Sequence, residues 1–253
     1  MNNKLKSLII YFGKISTLFG EVIYWIFSGK KRIKSIVAQM MILGIESLPI
    51  VSLIALFTGI ILAFQTAYQL QKISSEIYIA SIVALSLTRE LGPVLTSLII
   101  AGRSGASISA EVSSMKVTEQ LDALKSLATE PVDYLAVPKF LALIITLPLL
   151  VLYADLIGII GGYIVGTTKL GISLGLYFRM SLEALAFKDV FSGLIKAFIF
   201  GGIIGIVSCF EGFSASAGAR GVGKAVIKSV VRSFILIITA DCILTALFYV
   251  LLP

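Results

Sequence analysis

Four ionisable residues stand inside otherwise apolar stretches: Glu90, Asp155, Lys196 and Asp241. In hydrocarbon each costs about 2.5–3.5 kcal/mol at the centre of a span, so each should meet a partner, a cavity or a subunit interface. One outcome is a structural ion pair between Lys196 and Glu90 or Asp241, and the sequence does not select the carboxylate. The other is a polar surface offered to a ligand or ion inside the membrane. Several chemistries are excluded. The chain has no His, which removes imidazole bases, His-ligated metals and His proton relays. Cys209 and Cys242 lie in apolar segments without zinc or redox spacing and read as packing residues. Gly218 to Ala225 satisfies G-x-x-x-x-G-K, but Ala225 stands where magnesium needs a Ser or Thr hydroxyl, and an apolar span precedes it where a P-loop needs a strand. No catalytic residue, metal or cofactor is therefore expected in this chain, and any ATP and magnesium belong to a partner.

A second candidate lies in the polar segment from Arg103 to Lys139. It predicts a short surface helix over about 118–129, with Thr118 as N-cap, Glu119 and Asp122 in the first turn, and Pro131 beyond the end. Leu121, Leu124, Leu127 and Ala128 would share one face. Such a helix between two spans is a handle for a soluble partner, since a push on it reaches both. Just upstream, the small residues from Gly102 through Gly105 to Ala110 allow close helix approach in lipid. Gly158, Gly161, Gly162 and Gly166, and Gly201, Gly202 and Gly205, form similar packing patterns.

The elements that hold these residues are helices in a membrane. Across 253 residues the mean hydropathy is +1.02 and 58% of positions are hydrophobic, beyond what a water-soluble domain carries. About 20 residues of helix cross a bilayer, and the pattern predicts five spans: 47–71, 77–102, 140–168, 190–210 and 234–252. Arg89, Glu90 and Pro93 interrupt the second, so its register is ambiguous and a kink near Pro93 is expected. Residues 1–46 form a cytoplasmic and interfacial segment, in which Ile15 to Phe27 is too short to cross and is followed by Lys30, Lys31, Arg32 and Lys34. A crossing that began near Leu8 would carry Lys14 and Glu21 through lipid. Residues 47–253 read as one five-span domain, with a short interfacial helix between Leu170 and Phe187. Fifteen of the 21 Lys and Arg fall on one side of this layout and five on the other. The positive-inside rule then places the N-terminus in the cytoplasm and the C-terminus outside. The net charge of +7 forms no aromatic-basic surface, so no nucleic acid partner is expected.

The ordered block from Leu87 to Pro138 resembles the MlaE (YrbE-like) permeases of bacterial lipid-asymmetry transporters. The likeness rests on Leu87-Thr88-Arg89-Glu90-Leu91-Gly92-Pro93, on Ala101-Gly102-Arg103-Ser104-Gly105, and on Ala110-Glu111 with Met115 to Leu124. Pro131, Tyr134-Leu135 and Val137-Pro138 extend it, as do Leu194-Ile195-Lys196 and Asp241 with Leu244 to Leu247. The resemblance implies an all-α, homodimeric phospholipid permease of the inner membrane, with an N-terminal interfacial helix and five spans. It implies a cytoplasmic ABC ATPase pair, a STAS-domain protein in many members, and a periplasmic hexamer of MCE proteins. Thr118, Glu119, Gln120, Leu121, Asp122 and Leu124 would lie on the coupling helix, and Glu90, Lys196 and Asp241 would be the intramembrane charges near the lipid path. Ser104, where Ala is frequent, and the segment from Lys169 to Lys188 depart from the pattern. The alternative is an ion- or proton-coupled secondary transporter or channel that uses the same three charges. A membrane-embedded lipid enzyme would need clustered His, Asp or Cys residues that the sequence lacks.

Overall fold

The computed structural model describes residues 2–29, 32–71 and 78–251. Lys30, Lys31 and Lys72 of the charge count, and the limits of the second and fifth spans at Ile77 and Leu252, lie outside the described residues. Among those described there is no strand. The helices are α1 (Asn2–Ser28), α2 (Ile33–Leu43), α3 (Leu48–Gln71), α4 (Ile79–Ser86), α5 (Gly92–Ile100), α6 (Ala106–Val117) and α7 (Gln120–Ser126). They continue as α8 (Val137–Leu170), α9 (Leu174–Ala184), α10 (Phe187–Phe213) and α11 (Ala219–Leu251). Single π turns at Leu87–Leu91, Ala101–Gly105 and Val132–Ala136 join α4 to α5, α5 to α6, and lead into α8.

Six stretches among the described residues are long and apolar enough to cross a membrane. Five overlap the predicted spans, and the sixth is Ile9–Ser28 in α1, so length does not exclude α1 as its shorter apolar core suggested. The helices also run further than expected. The second stretch, Ile79–Val117, does not end at Gly102, and its 39 residues rise about 58 Å against roughly 30 Å of hydrocarbon. Most of the segment from Arg103 to Lys139 is thus helical. α11 begins at Ala219, well before Phe234. Arg220, Lys224, Lys228 and Arg232 recur every fourth residue along one side, while Ala225, Ser229 and Ser233 are buried on another. The P-loop-like run therefore opens a helix after Gly218, whose φ of +82° favours glycine.

Where the sequence reads as one domain, packing groups the chain into two units. The first comprises Met1–Ile45, Ile100–Ile145 and Gly201–Leu236. Its interior is tied by polar links: Arg32 to Asp133 at 3.1 Å, buried Lys139 to Glu111 at 2.7 Å, and Arg232 to buried Glu211. Tyr11 donates to Glu211 at 3.1 Å and lies beneath the Arg232 guanidinium at 4.1 Å, which holds α1 to α10 and α11. A Cβ on Gly105 would stand 3.0 Å from Ser208 Oγ, so this glycine is a close-packing position. Gly102 is not, because it faces outward and meets only Phe234 at 3.9 Å.

The second unit comprises Glu46–Ile99, Thr146–Phe200 and Ile237–Pro253. Its core is built from small and branched residues, Ala63, Ala67, Ile79, Ala80, Val83, Ala84, Leu87, Ile159 and Val165, closed by Tyr177 of α9. Burial pushes the Tyr177 phenol upward from its ordinary pKa. Backbones touch directly here: a Cβ on Gly59 would fall 1.8 Å from the Gly158 carbonyl, and one on Gly161 2.3 Å from that of Leu56. The helix expected between Leu170 and Phe187 is α9; Gly171 (φ +67°) ends α8, and Ser173 caps α9 by accepting from Leu176 N–H.

Candidate functional site

A cluster of charges in the second unit surrounds the turn before Pro93. Proline has no N–H, and its ring crowds the carbonyl four residues earlier, here that of Arg89. The helix widens at this point into the π turn Leu87–Leu91, where Gly92 N–H reaches back to the Leu87 carbonyl. The donor that Pro93 lacks comes from α10, because Lys196 Nζ donates to the Arg89 carbonyl at 3.0 Å. The same ammonium donates to Glu90 Oε2 at 2.7 Å and to Thr245 Oγ1 at 2.7 Å, and lies 2.9 Å from Asp241 Oδ1. Thr245 in turn donates to Glu90 Oε1 at 3.1 Å. Lys196 is buried and pairs with both carboxylates that the sequence left as alternatives. Four oxygens surround an ammonium with three N–H groups, so it is held from every side.

A second ion pair stands beside the first. Arg89 Nε and Nη2 approach Asp189 Oδ1 at 2.7 and 2.6 Å. Asp189 is buried in the first turn of α10, where a carboxylate suits the helix dipole, and its Oδ2 accepts from Ala186 N–H at 2.9 Å. Between the pairs opens a cavity of about 590 Å³ lined by Arg89, Glu90, Asp189, Lys196 and Thr245. Lys188 and Ser192 of α10, and Phe248 and Tyr249 of α11, complete its wall. Asp241 is not among the residues that line it.

Asp155 lies against the same turn but takes no part in these ion pairs. It is buried on α8 with Oδ1 against Gly92, where a Cβ would come within 1.9 Å. Thr245 and the Arg89–Asp189 pair were missed by the sequence reading, although spacing marks them. Asp189, Ser192 and Lys196 fall on one face of α10, and Asp241, Thr245 and Phe248 on one face of α11. Thr245→Val keeps the shape of the side chain and removes the bridge between Lys196 and Glu90. Its unfolding free energy in detergent should fall by about 1–3 kcal/mol, and an unchanged denaturation midpoint would show that the hydroxyl carries no such link.

The loop helix lies in the first unit and is shorter than expected. It spans Gln120–Ser126, seven residues where the sequence suggests 118–129. Thr118 is not its N-cap. Thr118 closes α6 and donates back to the Ser114 carbonyl at 2.9 Å, while Glu119, at φ +61°, takes the cap position without a side-chain hydrogen bond. Gln120 Nε2 donates to Thr118 Oγ1 at 3.0 Å, and Asp122 does lie in the first turn. Leu121 is buried and Leu124 half-buried, but Leu127 is exposed and Ala128, at φ +54°, is outside the helix. The four-residue apolar face therefore reduces to Leu121 and Leu124. A cavity of about 550 Å³ beside α7 is lined by Lys14 and Glu21 of α1 together with Lys116, Asp122, Lys125 and Glu130.

A family model described as Permease MlaE matches residues 36–247. A probable ABC transporter permease protein of Rickettsia prowazekii is 49% identical over 214 residues, covering 85% of this chain and 83% of its own. A probable ABC transporter permease protein of Synechocystis is 35% identical over 246 residues, covering 96% and 94%. The intermembrane phospholipid transport system permease protein MlaE of Haemophilus influenzae is 35% identical over 237 residues, covering 92% and 89%. The matched region takes in both α7 and the helices around Lys196, and the chain, a multi-pass membrane protein, belongs to the MlaE permease family.

Proposed function

We propose that this chain is the permease subunit of an ABC-type transporter that moves phospholipid between the bacterial inner membrane and a periplasmic MCE hexamer. The observation that carries the reading is the cavity at Lys196, where ionised groups border a space within helices otherwise suited to lipid. Two copies would enclose apolar walls for acyl chains, with the headgroup at Arg89, Glu90 and Lys196. The N-terminus lies in the cytoplasm and the C-terminus in the periplasm, and α1 lies along the cytoplasmic interface, where Lys14 and Glu21 share a charged cavity with α7. A separate ATPase pair, with a STAS-domain protein in some assemblies, docks on α7 and drives closure through α6 and α8. The names of the relatives, which include ABC transporter permeases and a phospholipid transport permease, support this assignment.

The test is transfer of a fluorescent phospholipid from vesicles to an acceptor, using the complex purified with its ATPase. ATP should accelerate transfer, and Leu124→Asp should keep ATP hydrolysis while reducing ATP-stimulated transfer about tenfold or more, since a carboxylate at this half-buried position weakens the seating of the helix on its support. Transfer that ignores ATP and follows a proton gradient would instead make Glu90, Lys196 and Asp241 the relay of a secondary transporter.

A further inference from the structure

Asp155 is the one intramembrane ionisable residue singled out by the sequence that the ion pairs do not use. It stands near the middle of the predicted third span, 140–168, and is 7% exposed on α8. Among the described residues it has no ion pair, and its buried Oδ1 has no hydrogen-bond partner. The charges of the elements packed on it are either missing or already engaged. α3, which meets α8 where Gly59 touches Gly158, carries no charged residue, and Arg89 and Glu90 of the π turn are held by Asp189 and Lys196. A carboxylate with no cation and no donor is among the costliest groups a membrane helix can hold. With a proton, the same carboxyl is an uncharged acid that donates one hydrogen bond.

Its position says what that hydrogen bond would hold. Asp155 Oδ1 lies over Gly92, the residue that follows the π turn Leu87–Leu91. A Cβ on Gly92 would stand 1.9 Å from Oδ1 and 2.9 Å from the Leu87 carbonyl, so the carboxyl and that carbonyl border the same small space. Gly92 N–H takes one of the two lone pairs of the Leu87 carbonyl. From α10, Lys196 already holds another carbonyl of the turn, that of Arg89, at 3.0 Å.

We propose that Asp155 is held as a neutral acid and is the positioning residue that fixes the π turn bearing Arg89 and Glu90 onto α8, as Lys196 fixes it onto α10. The proposal rests on the reading of the adjoining cavity as the lipid site. A proton does for Asp155 what Lys196 does for Glu90 and Asp241, and the residue then adds no charge to the cavity. Gly92 belongs to the same device, because any side chain there would occupy the place of the carboxyl.

Two measurements test it. The infrared difference between the full-length permease and Asp155→Asn, recorded at neutral pH, should contain the carbonyl band of a protonated carboxyl. A carboxylate band in its place would overturn the proposal without reference to transport. ATP-driven phospholipid transfer by the purified complex reads the positioning. Asp155→Asn keeps a neutral donor and should transfer within about twofold of the unchanged protein, whereas Asp155→Leu should lose about tenfold, the scale of one buried hydrogen bond. Background transfer by Asp155→Asn would mean that the charge or the proton itself is used, and normal transfer by Asp155→Leu would mean that no positioning occurs; either overturns the proposal. If Asp155→Leu does not fold, the double variant Gly92→Ala, Asp155→Ala serves, since the added methyl fills space that the carboxyl leaves. Its transfer should stay about tenfold low, and full recovery would reduce the contact to packing. Absence of ATP-driven transfer by the unchanged complex would remove the lipid reading and the positioning role with it, whatever the infrared band shows.

Discussion

Lys196→Met should lower the unfolding free energy by about 3–5 kcal/mol, the cost of removing one partner from a buried ionic cluster. The side chain is buried, and its loss strands Asp241, part of Glu90 and the Arg89 carbonyl together. Glu90 is 42% exposed and can be hydrated, so the lower end of that range applies. Neutralising the stranded acids separates stability from function. In the triple variant Lys196→Met, Glu90→Gln, Asp241→Asn, most of the stability should return, while phospholipid transfer should stay at background. Transfer restored along with stability would show that the charges only hold the helices together. Chemical denaturation in detergent and vesicle transfer assays of the same preparations read the two quantities.

Gly193→Ala should weaken the same site without touching the cavity. Gly193 lies on α10 one turn before Lys196, and a Cβ there would come 2.4 Å from the Thr88 carbonyl in the π turn. Backbone cannot swing aside as a flexible side chain does, so α10 must move away from the second span. Overpacking of this kind costs about 1–3 kcal/mol. The displacement lies between Lys196 and Glu90, so lipid transfer should fall by at least about tenfold even at a temperature where the variant stays folded. Normal transfer from a destabilised Gly193→Ala protein would show that the Lys196–Glu90 spacing does not set activity.

The site was partly legible because a charge in hydrocarbon is conspicuous. Glu90, Lys196 and Asp241 declared themselves by their cost, and the structure brings all three together. Asp155 declared itself in the same way and packs against Gly92 without joining these pairs, since cost signals that a residue is accommodated and not how. Arg89 was read as an interruption of the second span, which hid its pairing with Asp189 although it adjoins Glu90 and Asp189 shares a helix face with Lys196. Helix existence was readable from apolar runs, but helix length was not. The basic residues from Arg220 to Arg232 look like a loop by composition and like a helix by their four-residue spacing. At the loop helix, composition favoured Thr118 as the cap. The chain turns one residue later through Glu119 in a left-handed conformation, which a non-glycine residue does not advertise.

The hydrogen bond from Lys196 to the Arg89 carbonyl also limits how the second unit can move. A side chain of α10 completes the main chain of another helix, at the place where Pro93 cannot. Sliding α10 lengthwise by one turn, about 5.4 Å, would carry the ammonium out of reach and leave an unsatisfied carbonyl within the membrane, which costs several kcal/mol. Tilting about the ammonium keeps the bond. The joint is therefore a pivot and not a piston, and any change in cavity width has to be an angular one.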